Sequence, residues 1–211
     1  MMDDLRYTLV AEGSSDRVLM PILDWLLEEN GVHIAIQGEF SDTSVKTLGA
    51  KIRKAVQSYP CDLLFVHRDA DRETRDKRVE EIETAIADAN LPSLRPYVCV
   101  IPVRMQEAWL LFDEAAIRYA ADNSNGTMLL SLPPLNRLES LPNPKQELTD
   151  LLKTASGKSG RNLKKFRPNQ KMHRITEIID DFSPLRQLTA FQALENEIKQ
   201  FVADWTGEKN G

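Results

Sequence analysis

The run Asp62–His67 (DLLFVH) constrains the fold more than any other stretch, because its apolar residues are continuous rather than alternating. A strand that short is apolar on both sides when both faces of its sheet are covered, the situation of a parallel sheet flanked by helices. The surrounding sequence supplies what such a sheet needs. Arg6–Ala11 (RYTLVA), Val32–Ile36 (VHIAI) and Tyr97–Val103 (YVCVIPV) read as three further strands, with Pro102 placing the end of the last near an edge or turn. Between them lie helical patterns. Ser14-Ser15-Asp16 signals a helix start, followed by Val18, Ile22, Leu26 and Leu19, Leu23, Leu27 at i, i+4 spacing. Pro21 is placed to kink this helix, and Gly31 to end it. Val45, Leu48, Ile52 and Val56 mark a second helix, Val79, Ile82 and Ile86 a third, and Glu107–Ala121 a fourth.

Alternating strands and helices predict a parallel-stranded, Rossmann-like α/β sheet with right-handed crossovers over residues 1–121. The pattern then changes. A loop rich in Asn, Ser, Pro and Leu runs to Pro144, with helices expected at Lys145–Thr154, Met172–Asp181 and Leu185–Trp205. Residues 122–211 therefore read as a mostly helical extension packed on the core as one unit.

Composition excludes several classes. No apolar run approaches the ~20 residues of a membrane span, so no membrane partner is expected. The acidic opening MMDD leads straight into strand-like sequence, unlike a signal peptide. Cys61 and Cys99 lie beside apolar runs and suggest neither a disulfide framework nor a zinc site. The expected compartment is the cytoplasm.

The carboxylates point to chemistry. Glu12 follows the first strand, and Asp69 and Asp71 follow the third. With strand order 2-1-3-4, the crossover direction reverses between strands one and three, where parallel sheets bind ligands at their carboxyl ends. Three like charges converging there are costly unless a cation neutralises them or they take up protons. Mg²⁺ (or Mn²⁺) suits such oxygen ligands and retains positions for water and phosphate. Residues two apart in extended backbone point the same way, so Asp69 and Asp71 can serve one site. Gly13 and the Ser14–Asp16 turn let backbone pass close and offer N–H groups to a phosphate. Taken singly, Asp-x-Asp is more often a loop or helix cap; the pairing with Glu12 is what gives it weight.

VAEGSSDRVL followed by LLFVHRDAD resembles the Toprim signature, in which Glu closes the first strand and Asp-x-Asp a later one. The likeness is closest to small Toprim-like proteins that resemble the OLD-type nuclease domain. There a strand ending in Ile-Pro-Val precedes a Glu-Ala-Trp-Leu-Leu helix, as at Ile101–Val103 and Glu107–Leu111 here; Ile179–Phe191 is similar too. The resemblance covers about residues 6–112. It implies Glu12, Asp69 and Asp71 as Mg²⁺ ligands, Glu107 as a fourth acidic member of the catalytic set, and metal-dependent phosphodiester chemistry on DNA or RNA. Read alone, Glu107 is equally an acid favoured at a helix start. Arg68 is placed either to touch phosphate or to pair with Asp71. No tyrosine sits in a topoisomerase-like context. Gly157-Lys158-Ser159 lacks the strand and the earlier glycine of a Walker A loop, so any ATPase is a separate partner, in keeping with an effector role in phage defence. The alternatives are a non-catalytic Toprim-like interaction module and an Asp-x-Asp metal-dependent transferase.

Charge is distributed unevenly. The net −5 splits into −9 over residues 1–150 and +4 over 151–211, and Leu151–Thr176 carries eight basic residues and no acidic one. Lys158, Arg161, Lys164, Lys165, Arg167 and Lys171 are candidates for nucleic-acid phosphate contacts; the bland alternative is a solvated loop. Trp109, Leu110 and Phe112 read as core, His67 as half-buried in its strand, and Phe166 and Trp205 as packing residues rather than base-stacking ones.

Overall fold

A computed structural model describes residues 4–93 and 95–209, the last two by backbone alone; the opening Met1–Asp3 of the acidic front lies outside them. Its centre is a four-stranded, all-parallel sheet of order β2-β1-β3-β4, built from β1 (Asp4–Val10), β2 (Ala35–Ser41), β3 (Leu63–His67) and β4 (Tyr97–Val100). Every residue of β3 is buried, as its uninterrupted apolar run requires. Helices α1 (Leu19–Glu29), α2 (Leu48–Ser58) and α3 (Arg75–Asp88) form the crossovers. All six i, i+4 residues of α1 are buried or nearly so. Pro21 falls in its first turn, where no N–H is needed, so it starts the helix instead of kinking it.

The second strand lies three residues later than its sequence suggests. Gly31 takes a left-handed φ of 106° and Val32 N–H closes the helix end on Leu27 O, so residues 32–34 are spent leaving α1. β2 also contains Gly38 because Tyr7 leaves no room for a side chain: a Cβ there would lie 2.4 Å from the Tyr7 ring and 2.9 Å from Met20 Cε. Gly38→Ala is expected to cost about 3 kcal/mol through overpacking. Urea denaturation checks this, and a loss under about 1 kcal/mol would mean that Tyr7 moves freely.

The stretch expected as one helix from Glu107 to Ala121 is broken in two. A 3₁₀ turn at Gln106–Leu110 is followed by α4 (Glu114–Ala120), because the Asp113 side chain accepts from Ala116 N–H and caps a new helix. Met172–Glu177 is likewise a 3₁₀ turn rather than a longer helix. Pro184 confines Ser183–Gln187 to a 3₁₀ turn, after which α7 (Thr189–Lys209) begins. The remaining helices are α5 (Pro144–Ala155) and α6 (Gly160–Lys165).

One continuous apolar cluster runs from Leu5, Leu9 and Phe65 in the sheet through Trp109 and Leu152 to Phe191 and Ile198 in α7. Trp109 meets Phe191 edge to face at 5.4 Å. The second, smaller cluster lies on the other sheet face under α2 and α3. Thus α1 and the helical extension cover one face, and α2 and α3 the other. Cys61 and Cys99 are buried free thiols. Among the described residues no helix is long and apolar enough to cross a membrane.

Candidate metal and phosphate site

β1 and β3 end side by side, Val10 paired with Val66, at the point where the strand order reverses. Past β3 the backbone keeps contact with the chain after β4: the N–H groups of Arg68, Ala70 and Asp71 donate to the carbonyls of Val100, Pro102 and Arg104 at 2.9–3.1 Å. Asp71 and Arg104 both adopt left-handed backbone, φ 54° and 61°. Non-glycine residues reach that region at a cost of order 1 kcal/mol each. This bend has a consequence for the carboxylates. The alternation that carries Asp69 and Asp71 to one side ends at Asp71, whose side chain is 58% exposed and pairs with Arg78 at 3.4 Å.

Asp69 points inward. Its Oδ1 accepts from Gln106 N–H at 3.1 Å, and its carboxyl is pushed up to about 8, first by burial and then by Glu107, Glu12, Asp16 and Asp71. These four acids therefore surround it. Glu107 is 2% exposed; Lys145 Nζ lies 3.3 Å from its Oε1, but without hydrogen-bond alignment. Glu107 also lies in the first turn of Gln106–Leu110, where an acid is favoured. Glu12, by contrast, is exposed and ion-paired with Arg68, whose Nε lies 2.9 Å from its Oε1 without hydrogen-bond alignment. Arg68 also approaches Glu81 at 3.4 Å, so its partners are Glu12 and Glu81 and not Asp71.

Three further residues of the site, Asp16, Gln106 and His67, are not among the acids that the strand ends mark. Asp16 Oδ2 accepts from the Glu12 and Gly13 N–H groups at 2.9 Å, and its Oδ1 accepts from Ser15 Oγ and Gln106 Nε2. It fixes the turn after β1 and ties it to Gln106. The helix-start pattern marked Asp16, but only the fold reveals Gln106 as its partner. His67 is fully buried, not half-buried. Its Nδ1–H donates to Val100 O at 3.0 Å, and its Nε2 has no hydrogen-bond partner, 3.5 Å from Asp69 Oδ1 and 3.8 Å from Asp16 Oδ2. Lys51 Nζ adds positive charge at the rim, donating to the carbonyls of Ala11 and Glu12.

Among the described residues no three His, Cys, Asp or Glu side chains stand gathered as a metal cage. Glu12 and Asp71 are engaged by arginines, so holding a cation requires them to exchange those partners. The carboxylate oxygens are donors of the kind that suit Mg²⁺ or Mn²⁺, whereas an imidazole nitrogen suits transition metals and not Mg²⁺.

The basic segment forms the outer part of the extension. Lys158, Arg161, Lys164, Lys165 and Arg167 are exposed, whereas Lys171 joins Arg174 on Asp122. Lys158, Lys165, Arg167 and Lys171 line a cleft of about 280 Å³ with Asn162, Phe166 and Gln170. The turn Met172–Glu177 that ends the segment packs against Ser14–Val18, and α5, which precedes it, packs against Gln106–Leu110. The extension therefore rests on the elements that carry Asp16, Gln106 and Glu107.

No family model, curated protein or solved structure matches this chain. What the site can do rests on its own geometry.

Proposed function

We propose that this chain is a Toprim-like, Mg²⁺- or Mn²⁺-dependent nuclease that hydrolyses phosphodiester bonds in DNA or RNA. The observation that supports the reading is the set of acids Glu107, Glu12, Asp16 and Asp71 acting on Asp69 at the reversal point of the sheet, with His67 Nε2 3.5 Å from Asp69 Oδ1. A bound divalent ion would polarise the phosphate and lower the barrier to attack by water. Asp69, Glu12 and Asp71 would hold it, with Glu107 behind them. Asp16 and Gln106 fix the turn that carries Glu12 and the backbone N–H on Asp69. Arg68 and Lys51 would meet the phosphate, and the basic segment would hold the nucleic-acid backbone further out. A separately encoded ATPase partner and a role in phage defence belong to the same reading.

A second reading, a non-catalytic interaction module, has one observation in its favour: Arg68 and Arg78 already neutralise Glu12 and Asp71. Titration with Mg²⁺ and Mn²⁺, followed by melting temperature and by cleavage of labelled DNA and RNA, separates the two. The nuclease reading expects a metal-dependent rise in melting temperature and cleavage that a chelator stops. Neither effect with either ion would leave the interaction module. Arg68→Ala sharpens the test. Freeing Glu12 from a partly exposed ion pair should tighten metal binding up to about fivefold, while nucleic-acid affinity falls. Unchanged metal affinity would mean that Glu12 is not a ligand.

A further inference from the structure

The two edges of the sheet are treated differently. Along β4 the outer edge is closed: α7 packs against it, and Glu197 Oε2 accepts from the Cys99 N–H at 2.8 Å. β2, at the opposite edge, is the longer strand and has no such cover. Among the described residues no backbone or side-chain hydrogen bond reaches Ala35–Ser41 from the side away from β1. The strand contains no proline, lysine or arginine, the residues that commonly blunt an open edge, and its only charge is Glu39. Ala35, Gln37 and Glu39 are exposed; Ile36, Gly38 and Phe40 remain half-buried, although Ile36 and Phe40 pack on the main core. A neighbouring strand would cover what is left of them.

We infer that β2 pairs antiparallel with β2 of a second copy about a twofold axis at Gly38, joining two sheets into one of eight strands. The sequence of the strand is what selects this occupant. Twofold symmetry places each residue opposite its mirror position about the axis. Ile36 then faces Phe40 of the second copy, Gln37 faces Glu39, Ala35 faces Ser41, and each pairing occurs twice. Apolar residues meet on the half-buried side, and an amide meets a carboxylate on the exposed side. The neighbouring registers that keep the faces matched are worse. An axis at Glu39 opposes the two Glu39 carboxylates and sets Ile36 against Asp42. An axis at Gln37 sets Ile36 against Gly38 and Ala35 against Glu39.

The test exploits that register, with the full chain followed by sedimentation velocity from low to high micromolar concentration. Wild type should show a reversible monomer–dimer equilibrium, with amide exchange at Ala35–Ser41 slowing as the dimer forms. Gln37→Glu puts like charges opposite each other at both symmetry-related pairs and should weaken the dimer roughly tenfold. Gln37→Lys creates two opposite-charge pairs and should tighten it by a similar factor. Combining Gln37→Glu with Glu39→Lys should restore dimerisation. Gln37 is exposed and pairs in register with Arg6, itself held by Asp62, so melting curves of the dilute variants report whether the monomer is intact. A chain that stays monomeric throughout overturns the inference, an edge reserved for a different protein being one way to that result. Variants that leave the dimer unchanged, or that shift it in the same direction, overturn it as well.

Discussion

Replacing Asp69 with Asn is expected to abolish metal-dependent cleavage and, at alkaline pH, to make the metal-free protein more stable than wild type. The second half follows from linkage. The folded carboxyl holds its proton up to about pH 8, under the combined effect of burial and of Glu107, Glu12, Asp16 and Asp71. The unfolded chain releases that proton near the ordinary Asp value, about 3.9. Between those two pH values the unfolded state binds fewer protons than the folded one, so stability falls as pH rises. The contribution is fully present below about pH 4 and gone above about pH 8, with a span of at most about 6 kcal/mol. Asn removes the charge and keeps an oxygen for the Gln106 N–H. The variant should therefore match wild type near pH 4, gain on it through neutrality, and hold a constant advantage above pH 8.

On the nuclease reading, metal is expected to reverse the ranking. A cation bound among the carboxylates stabilises wild type alone, so saturating Mg²⁺ should raise its melting temperature and leave Asp69→Asn unchanged. Cleavage should fall by roughly a thousandfold, equivalent to about 4 kcal/mol of lost transition-state stabilisation. Urea denaturation at pH 5, 7 and 9, with and without metal, measures the first two effects, and a labelled-substrate assay the third. A variant less stable than wild type at pH 9 would show that Asp69 is a structural acceptor for Gln106 and little else. Full cleavage by the variant would remove this cluster from the chemistry altogether.

The sheet was legible because its signals are local and redundant. Continuous apolar β3, flanked by i, i+4 patterns at α1 and α3, admits few arrangements other than parallel strands with helical crossovers, and the observed order β2-β1-β3-β4 matches. Element ends were less legible, for a physical reason: they depend on caps. Asp113 caps the start of a separate helix, and Gly31 delays β2, whereas apolar periodicity runs straight through both places. The site divides in the same way. Glu12, Asp69 and Asp71 stand out because they follow strands. Asp16, His67 and Gln106 do not, since their roles arise from contacts such as Gln106 Nε2 on Asp16, 90 residues apart in the chain. The turning of Asp71 onto Arg78 was invisible for another reason. It follows from a left-handed backbone that spacing by two does not foresee.

The basic segment yields the other large effect, provided that nucleic acid is the partner. Lys164, Lys165 and Arg167 are exposed, and α6, which carries the two lysines, has no buried residue. Their removal should leave folding untouched. The local contacts made by this trio are modest: Arg167 donates to Lys164 O, a bond that anchors the side chain without neutralising its charge. Lys171 differs, being already paired with Asp122, so it contributes less free charge to an incoming phosphate. Each phosphate contact releases counterion, which makes the slope of log affinity against log salt a count of the contacts. The triple variant Lys164→Ala, Lys165→Ala, Arg167→Ala should flatten that slope by about 2 to 3 and weaken binding roughly 30-fold at moderate salt. Lys171→Ala alone should flatten it by less than about 1. Fluorescence anisotropy over a salt series reads both numbers, and an unchanged melting temperature confirms that the fold is intact. A slope that stays the same would make the segment a solvated surface, and the phosphate contacts would then have to come from Arg68 and Lys51 at the mouth of the carboxylate site.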